Sequence, residues 1–318
     1  MHPPIEPFAH GHVGVAGGNE IYWETSGNPA GKPAIYLHGG PGSGLHQGSY
    51  RGLFDPRKHL IVGIDQRGCG RSRPLVVDEL DQLPGNSTQA LIDDLETVRA
   101  HLGIDRWLVS GVSLGTTLAL AYAQAHPARV TEIVIGAVTT TSRDEVSWIT
   151  ETVGNIFPEA WERFDRASGR RDGERIVEAY ARRLASGDAE DRARAAQAWD
   201  AWESTHISLD PRWKPGPLHE DPVERAVFAT LVTHYWANDA FLTDGCDILS
   251  RTPVISHIPA ALIHGRRDIS GPPITPWRLH QDWPASRLLI LEEEGHGGPL
   301  VMEAMRGCID SFSREKRP

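Results

Sequence analysis

The sequence predicts an α/β protein: a mainly parallel, doubly wound sheet with a helical segment inserted before the sheet is finished. Three observations predict it. Short apolar runs of strand type alternate with helix-period stretches between residues 33 and 136. A Gly-x-Ser-x-Gly sequence, Gly111-Val112-Ser113-Leu114-Gly115, lies between the strand-type run Arg106-Trp107-Leu108-Val109 and the helix formers Leu118–Ala123. Strand-type runs then vanish from about residue 142 and return at Ala260–Gly265 and Arg287–Leu291. Those two late strands are needed to complete the sheet, so an interrupted domain explains the pattern better than two domains in succession. The expected division is a core of 1–141 with 251–318, and a helical cap domain of 142–250.

Each element has its own warrant. Residues 12–25 alternate loosely around Gly17-Gly18-Asn19, the pattern of a hairpin. Pro33–Leu37 is a short buried strand that runs into His38-Gly39-Gly40-Pro41-Gly42-Ser43-Gly44. Leu60–Ile64 is another, ending in Asp65-Gln66-Arg67-Gly68-Cys69-Gly70-Arg71-Ser72. Leu91, Leu95, Val98 and Leu102 recur at helical spacing within 88–102. Val130–Gly136 is a strand. Residues 144–154, 158–167, 172–186, 190–205 and 222–241 read as helices, and most of the ten tryptophans lie after residue 145, which places buried aromatic surface there around a pocket or an interface.

Composition narrows the function. The 318 residues are 40% hydrophobic and 23% charged, as in an ordinary globular protein. A net charge of −10 argues against nucleic acid or an anionic membrane as partner. Cys69, Cys246 and Cys308 are odd in number and form no CxxC pair, which suits a reducing compartment. Met1–Pro7 has neither a basic region nor an apolar run, and no stretch of about 18 apolar residues exists to cross a bilayer. A cytoplasmic protein acting on a small molecule or short peptide is expected, with a homo-oligomer left open.

At a strand-to-helix turn, Gly-x-Ser-x-Gly is a nucleophile elbow. Side chains at 111 and 115 would clash where the two backbones meet, and the turn lifts the Ser113 hydroxyl above the sheet. A serine nucleophile needs a base, and the base needs an orienting acid. Both should lie beyond strand C-termini. Asp268 follows the run ending at Gly265, and His296, flanked by glycines, follows the run ending at Leu291. The order Ser113, Asp268, His296 is the one this elbow architecture uses. Asp65 also ends a strand, but it precedes the elbow and reads as structural. The oxyanion hole takes the Leu114 N–H and one from the glycine loop, Gly40 or Gly39. The glycines form no phosphate loop, because no Gly-Lys-Ser/Thr follows. No cofactor or metal is expected, since no His/Cys/carboxylate cluster has ligand spacing.

With these residues in hand, the chain resembles the proline iminopeptidase (prolyl aminopeptidase) family of α/β-hydrolases along almost its whole length. The stretches that carry the resemblance include Pro3–Pro7, Ile21–Glu24, Gly27-Asn28-Pro29, His38–Gly42, Leu53–Pro56, Asp65–Ser72, Leu118–Gln124 and His126-Pro127. The resemblance implies the α/β-hydrolase fold, the Ser113/Asp268/His296 triad, a helical cap over the pocket, and metal-free release of an N-terminal proline. It also implies that Glu203 binds the substrate amino group; Trp199 and Trp202 on the same helix, and Tyr235, are expected to bind substrate beside it. There are departures. Leu114 stands where the family has tryptophan, Val232 where it has a second glutamate, and Gly271 where it has a cysteine. Val112 likewise stands where the family has glycine, and the changes at 112, 114 and 232 keep open a divergent esterase or amidase acting on another small acyl compound. A non-catalytic ligand-binding protein on the same fold is a third reading, and the intact triad argues against it.

Overall fold

The computed structural model describes residues 1–46, 48–209, 214–242 and 247–313; Cys246 lies outside them. The sheet begins with the expected hairpin, β1 (Ala9–Gly14) and β2 (Glu20–Gly27), with Val13 opposite Ile21. There follow β3 (Lys32–Leu37), β4 (His59–Ile64), α1 (Thr88–His101), β5 (Trp107–Val112), α2 (Leu114–Ala125) and β6 (Val130–Gly136). Next come the helices α3 (Arg143–Thr150), α4 (Pro158–Ser168), α5 (Ile176–Leu184), α6 (Ala189–His206), α7 (Pro222–Ala237) and the short α8 (Thr252–Ile255). The chain ends with β7 (Ala260–Gly265), α9 (Ile274–Gln281), β8 (Ser286–Leu291) and α10 (Pro299–Phe312). Among the described residues the sheet has eight strands in the order β1-β2-β4-β3-β5-β6-β7-β8. β1, β2 and β4 pair antiparallel, and all further pairs are parallel.

The apolar runs of the middle strands follow from burial on both faces. Side chains alternate across a strand. Ile35, Val109, Ile133, Ile135 and Leu262 therefore pack on one side with Leu91, Leu95 and Val98 of α1 and Leu118 of α2. Ala34, Leu108, Val134, Ala261 and Ile263 pack on the other side with Val301, Met305 and Ile309 of α10. The helices α3 to α7 enclose a third apolar cluster, in which Phe164, Tyr180, Trp199 and Trp202 are buried with Val232. The ring of Phe164 stacks on those of Tyr180 and Trp202.

Strict limits on backbone approach set the height of Ser113 above the sheet. A Cβ on Gly111 would lie 2.5 Å from the Gly115 carbonyl oxygen. One on Gly115 would run into the backbone oxygen of Leu37 on β3. Neither neighbour can yield, because Leu37 and Gly111 are paired in the sheet. Gly115→Ala is therefore expected to destabilise by about 1–3 kcal/mol, the range for overpacking. It should also lower turnover of any acyl substrate, because relief of the clash moves the elbow. Thermal unfolding and ester hydrolysis on the same preparation check both; unchanged values on both would contradict the steric account.

Candidate active site

The elbow holds Ser113 in a conformation that L-residues rarely adopt, with φ 55° and ψ −130°. Such backbone costs about 1–3 kcal/mol and persists only where neighbours over-determine it. Here the Ser113 N–H donates to Gly136 O on β6 at 3.1 Å, and the Thr116 N–H donates back to Ser113 O at 2.7 Å. The hydroxyl consequently stands at the C-terminal end of β5.

His296 and Asp268 arrive from the ends of β8 and β7. The Ser113 hydroxyl meets His296 Nε2 at 2.9 Å, and His296 Nδ1–H donates to Asp268 Oδ2 at 2.9 Å. A carboxylate only accepts, so Nδ1 carries the proton and Nε2 is left to take one from Ser113. Asp268 is 3% exposed. Its other oxygen accepts the Gly271 N–H at 2.9 Å. Burial pushes the Asp268 carboxyl upward, but His296, His264 and the Gly271 N–H outweigh it and hold the group below the ordinary aspartate value. Burial pushes His296 down, and Asp268 and Glu203 more than offset that, leaving it above the ordinary histidine value.

The glycine loop after β3 reaches the same place. A Cβ on Gly39 would sit 3.1 Å from Ser113 Cβ. His38 is buried; its Nε2 accepts the Gln66 N–H at 3.0 Å and its Nδ1–H donates to Gly39 O at 2.9 Å. The Ser43 N–H also reaches Gly39 O, at 3.4 Å. In a trans peptide the N–H points away from the carbonyl of the same unit. Anchoring Gly39 O thus turns the Gly40 N–H the opposite way. Gly39, Gly40 and Leu114 all line one cavity with Ser113 and His296. Leu114 opens α2, where an N–H has no partner within the helix.

That cavity has a volume of about 390 Å³ and lies between the sheet and the α3–α7 helices. Glu203 lines it. Its carboxylate accepts the Trp199 Nε1–H at 3.1 Å, and burial raises it to about 7 against the pull of His296 and that hydrogen bond. Three expected binding residues are placed elsewhere. Trp199 is fully buried in the helical cluster and touches the site only indirectly, through Glu203 and through the Trp236 ring. Trp202 stacks on Phe164, and its Nε1–H donates to Ile149 O at 3.1 Å. Tyr235 is 1% exposed and donates its hydroxyl to Asn86 Oδ1 at 2.6 Å. Trp199 and Trp202 miss the lining because the apolar interior among the helices takes their rings, and Tyr235 misses it because it packs into the sheet-side core. Trp236, one residue on, faces the cavity instead, with Phe228 two turns before it on α7. Val232 belongs to the helical cluster, whereas Gly271 and Leu114 do line the cavity.

Sequence reasoning missed His219, Phe228 and Trp236. The i, i+8 spacing of Phe228 and Trp236 was a usable signal, since it puts both on one helix face. Glu145 also lines the cavity, but its oxygens accept from Thr140, Ser142 and Thr275 while it caps α3. Asp65 accepts from Leu45 and Arg71 and stays clear of the site, in the structural role expected of it. Among the described residues no group of three or more His, Cys, Asp or Glu has metal-ligand geometry, and no helix is long and apolar enough to cross a membrane.

These features sit on a chain that belongs to the alpha/beta hydrolase fold family, whose model matches residues 32–301. Within it, the chain belongs with the proline iminopeptidases. It is 46% identical to the "Probable proline iminopeptidase" of Streptomyces coelicolor over 99% of this chain and 98% of that one. It is 38% identical to the "Probable proline iminopeptidase" of Leptolyngbya boryana, over 99% and 96%. The solved proline iminopeptidase of Mycobacterium smegmatis shares the fold, with TM-score 0.59 and 20% identity over 96% of this chain and 97% of that one.

Asp268→Asn tests the coupling of the three side chains. An amide in place of the carboxylate can hold the wrong imidazole tautomer, a change worth about 10⁴-fold in kcat. It also removes the charge that raises His296 against burial. The acid limb of the residual pH–rate profile should therefore move to lower pH. A limb that stays in place would show that Asp268 does not set the protonation of His296.

Proposed function

We propose that this chain is a serine aminopeptidase that releases an N-terminal proline through an acyl-enzyme, with Ser113, His296 and Asp268 as its triad. The observation that carries the reading is Glu203, an under-satisfied carboxylate in the cavity that contains the triad. The helical segment 142–250 acts as the cap that carries this carboxylate.

The steps follow from the donors and acceptors. The prolyl carbonyl carbon is attacked by Ser113 Oγ as His296 Nε2 takes the hydroxyl proton. Negative charge gathers on the carbonyl oxygen, where the N–H groups of Leu114 and Gly40 meet it. Asp268 stabilises the imidazolium. That imidazolium then gives its proton to the departing amine, and the C–N bond breaks. Water, deprotonated by His296, attacks the prolyl ester, and free proline leaves as Ser113 regains its proton. Remote binding supports this chemistry: the substrate ammonium pairs with Glu203 and fixes the distance from nitrogen to scissile carbonyl.

Two substrates on one preparation test the reading: a prolyl 4-nitrophenyl ester and the 4-nitrophenyl ester of cyclopentanecarboxylic acid. They match in shape and differ in the ring nitrogen. Glu203→Gln should lower kcat/KM for the prolyl ester by about 10²–10³-fold, the cost of unpairing a buried charge. It should leave the carbocyclic ester within a few-fold. Equal losses would assign Glu203 a structural role. Good turnover of the carbocyclic ester with none of the prolyl ester would favour an esterase.

The pH dependence has a definite sign. Glu203, at about 7, is neutral below that pH and anionic above it. Binding of an ammonium should strengthen as pH rises through about 7. The neutral ester needs only an unprotonated His296. The pH profile of kcat/KM should be steeper on its acid side for the prolyl ester, and the two slopes should coincide in Glu203→Gln. Parallel profiles in the unmodified enzyme would sink the assignment.

A further inference from the structure

Asp200 and Glu203 are one turn apart on α6, so their side chains leave the same face of the helix. Asp200 is 3% exposed and is fully engaged. Its Oδ2 accepts the Leu218 N–H at 3.0 Å, and its Oδ1 accepts His219 Nδ1–H at 2.8 Å. A second turn of α6 adds to the hold, because the Gly216 N–H donates to Ser204 Oγ at 2.8 Å. The His219 ring also lies on Phe228, with centroids 4.5 Å apart, and Arg225 Nη2–H donates to His219 O at 2.5 Å. The ring is therefore built into place on two sides, and it lines the cavity beside Glu203.

This arrangement sets the chemistry of the ring. Asp200 can only accept, so Nδ1 carries a proton, and Nε2 is left as the ring's one possible acceptor. Three other charged or imidazole groups of the lining are engaged: His38 bonds through both nitrogens, Glu145 is saturated and His296 serves the triad, while Tyr36, Ser43 and His46 lie on β3 and the loop after it, away from the helices. Glu203 and His219 are the strong acceptors with unspent capacity on the helical side. A pyrrolidinium nitrogen inside an acyl chain has two N–H groups. We propose that His219 Nε2 is the second acceptor of the substrate's amino terminus, so that one N–H goes to Glu203 and the other to His219. A carboxylate and an imidazole nitrogen then take up both N–H groups of the one cation. This assignment rests on the aminopeptidase reading above.

The consequence is selective. Replacing His219 should affect only substrates that bring an N–H to that position. His219→Leu should lower kcat/KM for the prolyl ester by about 10- to 100-fold, the scale of one hydrogen bond to a charged group. It should leave the cyclopentanecarboxylate ester within about threefold, which also reports that the variant is folded. His219→Gln keeps an oxygen acceptor and should retain more prolyl activity than His219→Leu. Equal losses on the two esters would show that His219 only shapes the cavity. Unchanged prolyl activity, or a glutamine variant worse than the leucine one, would overturn the assignment while leaving the aminopeptidase reading standing. An unmodified enzyme that turns over the carbocyclic ester and no prolyl ester would overturn both.

Discussion

The site depends on one constraint: the carboxylate of Asp268 is out of water, and a buried charge must be paired. The chain meets that need from two directions. His296 comes from the end of β8 and the Gly271 N–H from the loop after β7, and His264, within β7 and 3.5 Å from the carboxylate, positions that loop. His264 is itself fixed, accepting the Val138 N–H at 3.0 Å and donating to Gly271 O at 2.6 Å. Burial pushes His264 below the ordinary histidine value, so it orients the loop as a neutral ring. The charge that remains on Asp268 is directed at His296. The imidazole tautomer, and with it the readiness of Ser113 Oγ to lose a proton, follows from that pairing.

Glu203 presents the opposite case within the same cavity. It is a carboxylate with a single strong donor, the Trp199 indole, and burial lifts it to about 7. His206 is 3.9 Å away, beyond hydrogen-bonding distance, and burial drives it down to about 3, so it contributes no charge. A satisfied acid and an unsatisfied acid thus face each other across His296. The first fixes the orientation of the His296 imidazole. On the proposed reading the second is completed when a cation enters, so that the cavity would respond to the charge of its occupant as well as to its shape.

The sheet, the elbow and the order of the three catalytic candidates were legible because each has a local cause. Burial on both faces writes apolar runs into β3 to β7, and backbone contact writes glycine at 111 and 115. The helices α9 and α10 were not read, although α10 buries Met305 against Gly136 and closes one face of the sheet. Its apolar positions follow a glycine-rich loop, and Pro299 at the first helical position is its start signal. The ends of the cap helices were also blurred: 144–154 divides at Glu151 into α3 and a tighter turn, and 222–241 divides at Asn238. The cavity lining was the least legible part. Whether Tyr235 or Trp236 faces the substrate depends on a rotation of about 100° per residue, and the packing of α5, α6 and α7 around Phe164 and Tyr180 decides it.

The helical segment is also tied to the loop that carries Asp268. Trp148 on α3 donates its Nε1–H to Ile269 O at 2.8 Å, one residue beyond Asp268. His206 at the end of α6 meets Ser270 Oγ at 2.9 Å. The Glu145 that caps α3 accepts the Thr275 hydroxyl at 2.6 Å. Residues 268–275 are consequently held by the sheet on one side and by the helices on the other. The helices carry Glu203, and the loop carries the group that orients His296. The separation between the carboxylate that would receive the ammonium and the serine that would attack the carbonyl is therefore held by side-chain hydrogen bonds to this short loop together with those of α7 to Asn86. A pocket that must measure one residue from its amino terminus needs that distance held, and a cap joined to the core by its backbone connections alone would not hold it.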